Sequence, residues 1–155
     1  KSITCIEDPL KDLYKEPDSR VLANILEASL ESLEMARIAA QVIEDKLGKD
    51  TVIKDLAALT VVCDYFVITS APTRVQTRDI ARAIEESLGK LGEVNKRMQG
   101  FREGSWILLD YGNVVIHIFL QSERDFYDLE GLWRNAPRIA LSEQPSDEPK
   151  VNSMK

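Results

Sequence analysis

Histidine is almost absent from this chain: His117 is the only one among 155 residues. A Ser-His-Asp triad, a Cys-His pair or a multi-histidine metal site would have to be built on it, and alternation sets it between Val115 and Phe119 in an apolar run. A histidine in the middle of such a strand reads as a hydrogen-bonded sheet residue. Cysteine is nearly as scarce. Cys5 and Cys63 stand too far apart to make a disulfide framework or a four-ligand zinc site, which points to a reducing compartment and free thiols. No apolar run approaches membrane-spanning length, and the first residues, KSITCIEDPLKDLYKEPD, carry acids where a signal peptide has its apolar stretch. A soluble protein with no membrane partner is expected. Basic charge is also short, with 20 Lys and Arg against 26 Asp and Glu and a net charge of -6. That balance argues against a sheath of phosphate contacts, and so against direct sequence-specific nucleic-acid binding, while it suits a basic protein partner.

What the chain does have is Trp106 to Phe119, WILLDYGNVVIHIF, two runs of strand-formers around a turn containing Gly112. It reads as a β-hairpin. With Gly112 and Asn113 as a two-residue loop, partners count outward from the turn, so Tyr111 pairs with Val114, Leu109 with Ile116 and Ile107 with Ile118. That face is apolar. The other carries Trp106, Leu108, Asp110, Val115, His117 and Phe119, and a three-residue loop would exchange the faces of the second strand only.

Around the hairpin the elements follow in order. Residues 1 to 17 show no sustained period and contain Pro9 and Pro17, as an extension does. Asp18 and Ser19 offer an N-cap, and Leu33, Ala36, Ala40, Ile43 and Leu47 then fall at helical spacing, with a break expected near Ala28 and Ser29 and an end at Gly48. Thr51 to Leu56 and Tyr65 to Thr69 are strands joined by too short a segment for a helical crossover, hence antiparallel. Thr73 and Gln76 form a capping box for a helix whose inward stripe is Ile80, Ala81, Ile84, Leu88 and Leu91. Lys96 to Phe101 reads as a further strand. After the hairpin, Ser122 and Asp125 repeat the capping signature ahead of a short helix with Phe126, Leu129 and Trp133 on one side. The expectation is an α/β (α+β) domain over residues 31–135, a mixed sheet of about five strands packed with helices, between an N-terminal extension (1–30) and a disordered tail (136–155).

Groups that chemistry would need do not converge. Thr69-Ser70-Ala71-Pro72-Thr73 lies between strand and helix, where phosphate-gripping turns occur, yet it lacks the glycines that let a backbone approach a phosphate. Asp64 and Asp110 stand singly, whereas two-metal nucleotidyl transfer needs paired acids on adjoining strands. No metal, cofactor or catalytic residue is therefore assigned. The feature that stands out is an aromatic and acidic set, Trp106, Asp110, Tyr111, Glu103, Tyr127 and Trp133, of the type that partner surfaces use as anchors and rim.

CDYFVITS, the helix from Thr73, GSWILLDYGNVVIHIF and RDFYDLEGLW together resemble the ribosomal silencing factor family, also called the Iojap family, over Glu31 to Trp133. The resemblance implies a nucleotidyltransferase-like topology without the metal-binding acids. It also implies a translation repressor, not an enzyme, that binds protein fourteen of the large ribosomal subunit and hinders joining of the subunits. The compartment implied is the bacterial cytoplasm, or a chloroplast or mitochondrion in a eukaryote. By position, Trp106, Asp110 and Tyr111 fall in the segment contributing to the partner surface, Leu108 shares their strand and Glu103 lies just upstream. Gln99 and Asn113 replace acids frequent in relatives, which removes negative charge near a surface expected to meet basic residues. A rival reading is a nucleotidyltransferase-type enzyme; another is a domain that forms a homodimer through the hairpin face.

Overall fold

A sheet of six strands in the order β3-β4-β5-β2-β1-β6 organises the computed structural model, which describes residues 18–142. The strands are β1 (Lys49–Asp55), β2 (Tyr65–Ala71), β3 (Arg97–Gln99), β4 (Trp106–Asp110), β5 (Val114–Leu120) and β6 (Arg138–Ile139). Helices α1 (Ser19–Asp45) and α2 (Arg74–Lys90) are long, while α3 (Gln121–Tyr127) and α4 (Leu129–Leu132) are short. Every neighbouring pair is antiparallel except β2 and β5, which run parallel with Ile68 opposite His117. This is the expected mixed α+β arrangement, with one more strand than anticipated.

The helix α1 runs unbroken through Ala28 and Ser29, where a break was expected. Ser32 accommodates itself there by donating its hydroxyl back to the Ala28 carbonyl at 2.9 Å. Its second half buries Ile43 and the small residues Ala36, Ala39 and Ala40 against the sheet, the alanines letting the helix axis come close. The first half is open: Val21, Leu22, Ile25 and Leu26 are all exposed, and the helix carries straight across the boundary placed at residue 30. The helix also ends earlier than predicted. Leu47, not Gly48, takes the left-handed conformation (φ 62°), while the Gly48 N–H bonds to the Ile43 carbonyl at 2.8 Å and the Leu47 N–H to Glu44 at 3.0 Å. These are the two bonds of a Schellman stop.

The capping box of α2 is formed as read, the Gln76 N–H donating to Thr73 Oγ1 at 3.2 Å. Ile80, Ala81, Ile84 and Leu88 are buried, whereas Leu91 falls beyond the helix and is exposed. Both long helices lie on one face of the sheet. Between them and the strands sit Ile53, Val67, Ile107, Leu109, Val114, Ile116 and Ile118, each contributing roughly 1.5–3 kcal/mol by leaving water. A smaller cluster of Leu56, Cys63 and Ala136, with Phe66, Val115 and Trp133 beside it, forms on the opposite face.

The C-terminal part departs most from expectation. In α3 the residue at the N-cap is Leu120 and no side chain caps it; Phe126 points outward at 79% exposure. Asp128, with φ 43°, stops α3 and starts α4, accepting from the Gly131 N–H through its side chain. The strand β6 lies in the stretch assigned to a disordered tail: Ile53 faces Ile139 and Lys54 faces Arg138. The extension 1–17 and the tail beyond Ser142 lie outside the described residues.

Candidate functional site

The hairpin closes in the two-residue register: Trp106 faces Phe119, Leu108 faces His117, Asp110 faces Val115, and the Tyr111 N–H donates to the Val114 carbonyl at 2.9 Å. Gly112 supplies the positive φ of 89° that the first loop position requires, and Asp110 Oδ1 accepts its N–H at 2.8 Å. The Asn113 carbonyl in turn accepts from Asp64 and Tyr65, which ties the turn to the start of β2. Gly100 performs a second local duty: its φ is 76° and an added Cβ would lie 2.0 Å from the Trp106 carbonyl oxygen, so the β3–β4 turn closes tightly behind Trp106 only with glycine there.

Because α1 and α2 cover one face, the other is covered only in part by α3, α4 and the loops at 56–64 and 133–137. On that open face the aromatic rings form a row. Trp106 stacks on Phe119 at 4.9 Å and lies 4.8 Å from Tyr127; its indole N–H donates to His117 Nδ1 at 3.1 Å. Phe66 meets His117 edge-on at 4.7 Å and Trp133 at 5.8 Å. Edge-to-face contacts of this kind add about 0.5–1.5 kcal/mol beyond burial and hold the rings in one arrangement. Between the rings lies a recess of about 370 Å³ lined mainly by Val62, Cys63, Phe66, Leu108, Val115 and Trp133, with Asp110 and Arg97 at its charged side. Beside it stand solvent-exposed Leu59, Val61 and Val62, and beyond Trp106 stand exposed Phe126 and Tyr127.

Burial pushes the His117 imidazole down to about 4, so the ring is neutral around pH 7. An indole nitrogen only donates, so Nδ1 is the acceptor and the single ring proton sits on Nε2, which has no partner among the described residues. The Cys63 thiol is raised to about 11 by burial, then by the nearby charges of Asp64 and Asp110; such a thiol is a packing group and a poor nucleophile. Among the described residues, no group of three or more His, Cys, Asp or Glu side chains is placed to hold a metal ion.

Three of the predicted site residues, Trp106, Leu108 and Asp110, come together on the open face. Tyr111 does not. It is 8% exposed and packs in the main core on the helix side, where burial and then the charges of Glu85 and Glu93 push its phenol up to about 12. Strand alternation demanded this, since Tyr111 follows Asp110 directly. Glu103 stands in the β3–β4 turn, its carbonyl accepting from Arg74 Nη1 at 3.0 Å, and does not line the recess. Sequence reading missed Phe66, the 59–62 loop and Arg124. The last is buried, pairs with Glu130 at 2.7 Å, and donates to the carbonyls of Lys49 and Asp50 at 3.0 and 2.7 Å and to Ser70 Oγ at 3.1 Å. It pins α3 to β1 and β2, and nothing in the local pattern distinguishes it from a surface arginine.

The model of the family described as ribosomal silencing factor during starvation matches residues 29–155. The chain belongs to the ribosomal silencing factor family. It is 40% identical over 105 residues to the ribosomal silencing factor of Bacillus subtilis, covering 68% of this chain and 89% of that protein. The chloroplastic Iojap protein of Arabidopsis thaliana is 31% identical over 149 residues, or 90% of this chain and 58% of that one. Among solved structures, a Chromobacterium violaceum protein superposes with a TM-score of 0.64 at 29% identity, covering 73% of this chain and 88% of its own. A Bacillus halodurans protein gives 0.62 at 29% identity, over 69% and 97%. The fold of this chain is thus shared with two solved proteins.

Proposed function

We propose that this silencing factor represses translation by docking its open sheet face on protein fourteen of the large ribosomal subunit, where its bulk blocks joining of the small subunit. The observation that carries the reading is the row of rings from Tyr127 through Trp106 and His117 to Phe66 and Trp133, left uncovered by the long helices and bordered by exposed Val61, Val62 and Phe126. An apolar, ring-rich patch with charge at its edge is the anatomy of a protein interface. Trp106, Leu108 and Asp110 are its proposed contacts. The net charge of -6 favours a basic ribosomal protein over RNA. The reading is of a binding module and not of an enzyme, and the compartment is that of the ribosome it meets: cytoplasm, or chloroplast as the Arabidopsis relative's name has it.

The test is joining itself. Purified chain should sediment with isolated large subunits, and an excess of it should suppress the light-scattering rise when small subunits are added. Cosedimentation with an unchanged scattering rise would rule out blocking by bulk. Salt should weaken binding mainly through the association rate, without the steep loss that many phosphate contacts cause.

A further inference from the structure

One part of the open face is recessed. The recess between Phe66, Leu108, Val115 and Trp133 is walled mainly by apolar side chains; its uncharged polar lining is Thr60, Gln99 and His117, and its charged lining is Asp110 and Arg97. These two are cross-strand partners on β4 and β3, so their charges offset each other locally. His117 lines the same recess, is 4% exposed, and has its Nδ1 engaged by Trp106, which leaves the Nε2 proton without an acceptor among the described residues. A buried N–H without an acceptor loses its hydration for no return, a cost that native proteins seldom tolerate without a use.

We propose that this recess is a socket for one apolar side chain of the ribosomal partner, entering with a neutral oxygen acceptor beside it that takes the hydrogen bond from His117 Nε2–H. The walls choose the apolar part, because a charged side chain would shed its hydration against Phe66, Val115 and Trp133. The orphan proton chooses the oxygen. It lies under the recess floor, so a lining side chain must turn aside for the partner to reach it, an adjustment of the kind common at interfaces. The combination gives specificity: a partner with the apolar group and no acceptor leaves the proton unsatisfied and binds more weakly. The inference rests on the reading that the open face meets large-subunit protein fourteen.

Isothermal calorimetry of the full chain with purified protein fourteen tests it, using two substitutions. His117→Phe keeps a ring among the aromatics and removes the donor. Val62→Asp lies at the mouth, at a position 79% exposed where folding should not suffer, and sets a carboxylate against the entering apolar group. Each should raise Kd by about tenfold or more, the scale of one unsatisfied buried partner. In the unaltered chain, complex formation should move the imidazole N–H resonance of His117 downfield. Tighter binding by Val62→Asp would mean that charge attraction to a basic surface, and not an apolar socket, governs this edge. Unchanged affinity in both variants, or an unmoved imidazole resonance, would overturn the socket while leaving the docking face standing. No binding by the unaltered chain would overturn the partner reading, and the socket with it.

Discussion

Acid should destabilise this protein through one residue. His117 titrates at about 4 in the folded chain against 6.5 as an ordinary histidine, because burial disfavours the imidazolium. Between these values the unfolded chain holds a proton that the folded chain does not, so stability rises with pH across the window and is lost as pH falls through it. The separation corresponds to on the order of 3 kcal/mol in full, of which roughly 2 kcal/mol should be gone by about pH 4.5. Geometry acts in the same direction, since an imidazolium would present an N–H to the Trp106 N–H that now donates to it. Asp110 and Arg97 line the same recess, so the effect must be isolated by comparison. Urea unfolding of the unaltered chain and of His117→Phe, at steps between about pH 7 and about pH 4.5, supplies it. The substitution lowers stability at every pH by leaving the Trp106 N–H unpaired, so the slopes decide and not the levels. The unaltered chain should lose roughly 2 kcal/mol more than the variant over this range. Parallel curves would refute the account of His117 as a buried neutral group.

Trp106→Ala should weaken binding to protein fourteen by about 2 kcal/mol or more while the fold persists, because the ring lies at the centre of the open face; a pulldown with circular dichroism separates the two effects. Tyr111→Ala should instead destabilise by about 3 kcal/mol, since the ring belongs to the main core, and denaturant unfolding reads it. Arg124→Ala should cost about 3 kcal/mol by leaving the Asp50 carbonyl without its donor and the Glu130 carboxylate with only its longer pairing to Arg138, with a fall in melting temperature as the readout. Purified chain mixed with nucleoside triphosphates, Mg²⁺ and an RNA acceptor should give no product; turnover abolished by Asp110→Asn would restore the enzyme reading.

The hairpin was legible up to the length of its loop. A two-residue turn with glycine leaves one pairing that keeps Ile107, Leu109, Ile116 and Ile118 together, and the structure has that pairing. The antiparallel pairing of β1 and β2 and the Thr73 cap were legible for the same kind of reason: each depends on a few neighbouring residues, and local geometry leaves few alternatives. Alternation says which residues share a face, but it does not say which face the helices will cover. That is why Tyr111 was grouped with Trp106 as an anchor, although the two point to opposite sides of one strand. Likewise, the parallel pairing of β2 with β5, the two-residue strand β6 and the buried Arg124 depend on groups brought together from far along the chain: Thr69 opposite Ile118, Ile53 opposite Ile139, Arg124 against the Asp50 carbonyl. The bond from Trp106 to His117 is of intermediate kind. A two-residue loop sets the two residues on one face of the hairpin, diagonal to each other across its strands; only the packing of Phe66, Phe119 and Tyr127 around them decided that the indole would donate to the imidazole and leave its second nitrogen buried without an acceptor among the described residues.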